Sequence, residues 1–234
     1  MDKSKIISGI AIAVGLLLLG LCIKGGIDNF ANRGRQVTVR GLSEREVSAN
    51  LVTWPIVTKE LGNDLTTIYS RIQSTNERIA RFLTENGLTK DEFSINPPEV
   101  EDRQAVSYNQ DGIRERYLVT NVIVVNSTKV DLVRSLIEKQ DQLMRDGIAV
   151  VADNYQYHTT YEFTGLNDIK PEMITEATKA ARDAAERFAA DSHSKIGRIV
   201  TASQGQFSIE DRDQYTPYKK NVRVVNSITY ELHD

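Results

Sequence analysis

Ser43 stands beside two carboxylates, Glu44 and Glu46, and two residues after Gly41, within the stretch RQVTVRGLSEREVSANLVTWPIV that covers residues 35–57. A serine nucleophile needs a base within hydrogen-bond reach and usually a strained turn such as G-x-S-x-G. GLSE supplies Gly41 and Ser43 without the following glycine. Ser43, Glu44 and Glu46 are therefore expected on the wet or paired face of a strand. His158 and Glu162 share one parity of the alternating segment YQYHTTYEF, while Tyr155, Tyr157, Tyr161 and Phe163 share the other. Two residues four apart on a strand lie too far from each other to make a tight metal site by themselves. The triplet DSH at 191–193 has the residue types of a catalytic triad, but neighbours on a helix point in different directions. The acidic clusters EVED, 99–102, and EDRD, 210–213, lack the calcium-loop spacing D-x-[DN]-x-[DN]-G. G-x-G-x-x-G and Walker A patterns are missing as well. The reading is that of a protein that is not an enzyme, with no catalytic, cofactor-binding or metal residues and no cofactor expected.

Composition narrows the class further. The 234 residues with 40% hydrophobic content are enough for a real core. A net charge of −3 with mixed signs gives no basic footprint, so nucleic acid is not expected as a partner. A single cysteine, Cys22, excludes an intramolecular disulfide. The most specific signal is IISGIAIAVGLLLLGLCI, residues 6–23, which is 18 residues without a charge. As a helix it would reach about 27 Å, close to the hydrocarbon thickness of a bilayer. An N-terminal membrane anchor or uncleaved signal is expected over 1–23, because the run is long for a signal-peptide core and no clean cleavage site follows. LGLC, ending at Cys22, has Leu21 where a lipobox wants a small residue. Lys3 and Lys5 on one side and Lys24, Arg33 and Arg35 on the other leave orientation open.

These residues must be positioned by the elements that follow. Residues 24–34, KGGIDNFANRG, read as a flexible linker. The β-branched stretch after it predicts two strands or one long bent one, with a register change near Leu51, Gly41 permitting a turn or bulge, and Pro55 marking a sheet edge or bend. Trp54 is the expected core anchor. Apolar spacing predicts a helix over 61–86 closed by Gly87, a second over 128–147 with Val133, Ile137 and Met144 on one side and Gly147 as its stop, and a third from Pro171 to Ser194. The third has a small inner face of Ala177, Ala181, Ala184, Ala185 and Phe188. Strands are expected at 116–127, 155–165 and twice near the C-terminus, with turn-rich sequence over 88–116 that includes YNQDG. The fold class is α+β: a largely antiparallel sheet with about three helices packed on it, preceded by one N-terminal transmembrane helix. Nine tyrosines, several in strands, fit either a half-buried sheet surface or a binding face.

With this pattern in place, the sequence resembles the SIMPL domain family, a domain of unknown function (DUF541) in bacterial envelope proteins. The likeness rests on VTVRGLSEREVSANLVTWPIV after a membrane-directed N-terminus, the amphipathic helix ending at Gly87, the Ala-rich third helix and the closing VRVVNSITYEL. Many members read V-x-G-x-G-x-x-x-V and then Pro-Asp. Here Gly41 and Val47 fit, while Leu42-Ser43 and Ala49-Asn50 replace the second Gly and the Pro-Asp pair, as in a divergent branch. The resemblance spans about residues 36–232; the domain is expected over 35–234. It implies a domain in the periplasm or outside the cell, homo-oligomers in some relatives, and links to envelope or oxidative stress tolerance. It names no catalytic residue. The function expected is oligomeric assembly or binding of an unknown protein partner from a membrane-held position through residues 6–23, or else small-molecule binding in a Tyr-lined pocket.

Overall fold

The computed structural model describes residues 3–32, 34–106, 114–151 and 155–233, without the side chains of 3–11, 28–32 and 106. The expected turn YNQDG lies outside the described residues. Helix α1 (Lys3–Asn32) is followed by β1 (Gln36–Ser48), β2 (Leu51–Gly62), α2 (Leu65–Glu85), β3 (Phe93–Ile95), β4 (Glu99–Asp102) and the single turn α3 (Arg103–Val106). Then come β5 (Tyr117–Ser127), α4 (Val130–Glu138), α5 (Asp141–Arg145), β6 (Thr160–Glu162), α6 (Leu166–Asp191), β7 (Lys195–Gln204), β8 (Ser208–Asp211) and β9 (Lys219–His233). The fold is α+β with antiparallel sheets and about five helices besides α1. One sheet has the order β1-β9-β7, with β8 also on β9; the other has β3-β5-β2-β6, with β4 also on β5. The chain divides into two compact units, residues 1–45, 167–208 and 222–234, and residues 46–166 and 209–221.

No helix among the described residues is long and apolar enough to cross a membrane, so the expected transmembrane helix is not found in the structure. Every described side chain of α1, from Ile12 to Ile27, is exposed. The helix also continues through Lys24–Asn32, where composition predicts a flexible linker. Extending an existing helix past a glycine costs only about 1 kcal/mol, far less than starting a new one.

In the unit of residues 46–166 and 209–221, β2 and β5 pair in register from Val52↔Ser127 to Gly62↔Tyr117. Their shared inner face, including Val52, Trp54, Ile56, Ile123 and Val125, is covered by Ile79 and Leu83 of α2, Val133 and Leu136 of α4 and Leu143 of α5. Trp54 is 2% exposed, as expected of the anchor. The parity change near Leu51 is not a bulge. The chain ends β1 at Ser48 and begins β2 at Leu51 in a different sheet, so buried odd positions give way to buried even ones. β6 pairs only Leu51–Thr53 of β2, which leaves Pro55 beyond the end of that pairing, as its missing N–H demands.

Helix α2 opens on Asp64, which accepts hydrogen bonds from the Thr66 and Thr67 N–H groups, and closes at Gly87 (φ +98°) with Leu88 N–H donating to the Leu83 carbonyl. The expected single helix over 128–147 is two helices. At Lys139 and Gln140 the hydrogen bonds tighten to three-residue spacing, and Leu136 and Leu143 rather than Ile137 and Met144 turn fully inward. Of the expected strand 155–165 only Thr160–Glu162 pairs, because β2 offers just three partners there, and β propensity without a partner builds no strand.

In the unit of residues 1–45, 167–208 and 222–234, α6 lies on β1 and β9. It begins five residues before Pro171, which sits inside it. Met173, Ala177, Ala181, Ala185 and Ala189 are its buried positions, whereas Ala184 and Phe188, expected inward, face outward with Phe188 52% exposed. The C-terminal segment holds three strands where two are expected. At Gly205, between β7 and β8, a Cβ would sit 2.3 Å from the Val225 carbonyl oxygen, and the Gly205 N–H donates to that same oxygen.

Candidate functional site

Gly41 is buried in the middle of β1, and its role is neither turn nor bulge. A Cβ there would lie 1.9 Å from the Ala177 carbonyl oxygen and 2.4 Å from the Ala181 nitrogen. The missing side chain lets the α6 backbone rest on the strand. Two residues on, Ser43 points the same way and is 4% exposed, which corrects its assignment to the wet face. Ser43 Oγ donates to Glu176 Oε2 at 2.7 Å. Arg45, next on that face, donates to Glu176 Oε1 at 2.8 Å and Glu172 Oε2 at 3.0 Å. The Ser43 hydrogen bond and the Arg45 guanidinium hold the Glu176 carboxyl below its ordinary range. A carboxylate so stabilised is a weak base, so Ser43 is tied down rather than activated. Glu172 and Glu176, one helical turn apart, complete a network that only the pairing of β1 with α6 reveals.

A second polar cluster fastens the loop after α2. Glu92 accepts from Lys129 Nζ at 2.8 Å, from Ser127 Oγ at 2.6 Å and from the Thr89 N–H at 2.9 Å. These bonds, Lys129 first, bring its pKa down to about 2. Both clusters are structural ties between named elements.

Several concave surfaces among the described residues offer room for a ligand, two of them on opposite faces of the β2–β5 sheet. The first is a groove along α2 against β4 and β5, about 370 Å³, floored by Ile68, Ile72 and Val119 and rimmed by Tyr69, Pro98 and Val100. The second is a cleft of about 410 Å³ on the other face of the β2–β5 sheet. Its floor is half-buried Pro55, Val122 and Val124. One wall is Asn96, Pro97 and Glu99, and the other is Gln156, Tyr157, His158 and Thr160. His158 therefore does line a cleft, on the wall opposite Glu99. Its expected companion Glu162 pairs with Leu51 in β6 and is not part of the lining. Spacing in sequence could not show this, because the strand that would have aligned His158 with Glu162 ends at Thr160.

The other residues weighed from sequence fall elsewhere. Asp191 ends α6, and His193 adopts the left-handed conformation (φ 55°) while Ser194 N–H donates to the Ala189 carbonyl. DSH thus terminates a helix. Within EVED, Asp102 takes two hydrogen bonds from the Arg116 guanidinium at 2.6 and 3.0 Å. In EDRD, Asp211 pairs with Lys220, and Asp213 accepts from the Tyr215 and Thr216 N–H groups in the β8–β9 turn. Cys22 is exposed on α1. Tyr161 meets Tyr218 edge to face at 6.2 Å, and Arg134 stacks on Tyr218 at 3.6 Å, so these tyrosines pack among themselves.

The span from β1 to β9 is that of a known domain. The chain belongs to the SIMPL family, described as a protein of unknown function (DUF541), whose model matches residues 37–231. That match begins at the second residue of β1 and ends inside β9, leaving α1 outside it. No curated protein matches the chain.

Proposed function

We propose that this chain is a membrane-anchored envelope protein without enzymatic activity, whose SIMPL domain lies in the periplasm or outside the cell and acts through homo-oligomeric assembly or partner binding. The observation that carries the reading is the uncharged run 6–23. From Ile12 to Ile23 the described side chains of α1 are uncharged, and Ile12, Leu16, Leu17 and Leu21 are all more than half exposed. Water is a poor solvent for such a helix, whereas lipid tails would cover it. Alkaline carbonate extraction tests this directly: the full chain stays with the membrane pellet and a variant lacking residues 1–23 leaves it. A C-terminal reporter active only in the cytoplasm would sink the localisation. A role in envelope or oxidative stress tolerance predicts that loss of the gene raises oxidant sensitivity, and that the full chain, but not the form lacking 1–23, restores it.

A second reading, a small-molecule binding module, is favoured by one observation. The two concave surfaces each carry a tyrosine, Tyr69 in the groove and Tyr157 in the cleft. A ligand that binds the folded state raises the melting temperature, which a metabolite screen by thermal shift would register.

A further inference from the structure

We propose that the cleft on the open face of the β2–β5 sheet binds an uncharged saccharide, an inference that rests on the small-molecule reading and names its ligand class. The floor is apolar and half-buried, with Pro55 of β2 beside Val122 and Val124 of β5. Such a surface suits the C–H face of a sugar ring, whose burial is favourable in proportion to the apolar area covered. Around it stand groups that both donate and accept, the hydroxyls of Thr120 and Thr160 and the amide of Asn96, together with the His158 imidazole and the Glu99 carboxylate. Among the described residues, none of these five side chains is engaged in a hydrogen bond, so their capacity is open to a ligand.

The balance of charge selects the ligand. Among the described residues no lysine or arginine is in the lining itself, and the cation opposite Thr120 by register, Lys59, is matched by Glu99 on the other side of Thr120, so the site carries no excess charge to favour a phosphate or carboxylate. A polyamine would meet a single carboxylate, Glu99, and no second anion for its second cation. A hydroxyl-rich neutral ring matches mixed donors and acceptors around an apolar floor. The volume of about 410 Å³ lies in the range of small-molecule sites.

The test is saturation-transfer NMR on the full chain in lipid nanodiscs, free of sugar-based detergent. N,N′-diacetylchitobiose and cellobiose are the probes, with spermidine and citrate as charged comparators, each at about 10 mM, where a millimolar site is filled. Ring-proton signals are expected from a disaccharide, with the Kd obtained by titrating that signal raised about fivefold by Glu99→Gln and by His158→Gln as single hydrogen bonds are lost, and the signal abolished by Thr120→Trp, which crowds the cleft. Should Thr120→Trp fail to fold, the two exposed wall variants decide alone. No disaccharide signal, or one indifferent to both wall variants, overturns the proposal. Spermidine or citrate binding that depends on Glu99 and His158, without disaccharide binding, overturns the ligand class and leaves the small-molecule reading standing. No response from any compound in the thermal-shift screen as well removes both.

Discussion

In the unit built on β2 and β5, helices meet the sheet through Ile79, Leu83, Leu136 and Leu143 against Trp54, Ile56 and Ile123. In the unit built on β1 and β9, α6 meets the sheet through Ala177, Ala181 and Ala185, and at Gly41 backbone meets backbone. Large side chains hold the first layer apart and stabilise it by apolar area. Small ones bring the second layer close, so that hydrogen bonds such as Ser43 to Glu176 and Asn226 to Thr178 Oγ1, 3.0 Å, can span the gap. The two layers should therefore fail in opposite ways, the first by being emptied and the second by being filled.

The largest effect is expected from Trp54→Ala, a truncation at the centre of the first layer that should cost about 3–5 kcal/mol in urea unfolding. Gly41→Ala adds one methyl group to the second layer, where the obstruction is α6 backbone rather than a movable side chain. It should cost about 2–3 kcal/mol, whereas Ala184→Val on the outer face of the same helix should change stability by about 0.5 kcal/mol or less. Equal costs at 41 and 184 would show that α6 does not rest on β1.

A pH series separates the polar ties. Because the Glu92 pKa is lowered from 4.5 to about 2 in the folded state, its contribution is fully present above about 4.5 and is lost as pH falls through about 2. Urea midpoints should drop across that window, and Glu92→Gln should flatten the drop while leaving less stability at neutral pH. One substitution should be a gain. His193 holds a left-handed conformation that glycine adopts without strain, so His193→Gly should stabilise the α6 end by about 1 kcal/mol.

Those contrasts also explain what the sequence makes legible. Trp54 and the stops at Gly87 and Gly147 (φ +76°) are local signals, and local physics decides them, whereas the parity change near Leu51 is visible in the sequence but its cause, a switch of sheet, is not. The pairing of three β2 residues with β6 is a tertiary fact, so the expected strand from Tyr155 to Gly165 shrinks to Thr160–Glu162. Ser43 is buried because α6, more than 120 residues later, covers it. A four-residue spacing of Glu172 and Glu176 does mark one helix face, yet nothing nearby in sequence points to Arg45 as their partner. The cleft is harder still, since Asn96, Thr120 and His158 come from three separate segments.

The functional claim turns on assembly, and its most direct measurement is the mass of the full-length protein in a bilayer mimic. Light scattering corrected for the lipid or detergent, across micromolar concentrations, should give a multiple of the 26.3 kDa chain. A monomer mass at every concentration would contradict homo-oligomeric assembly.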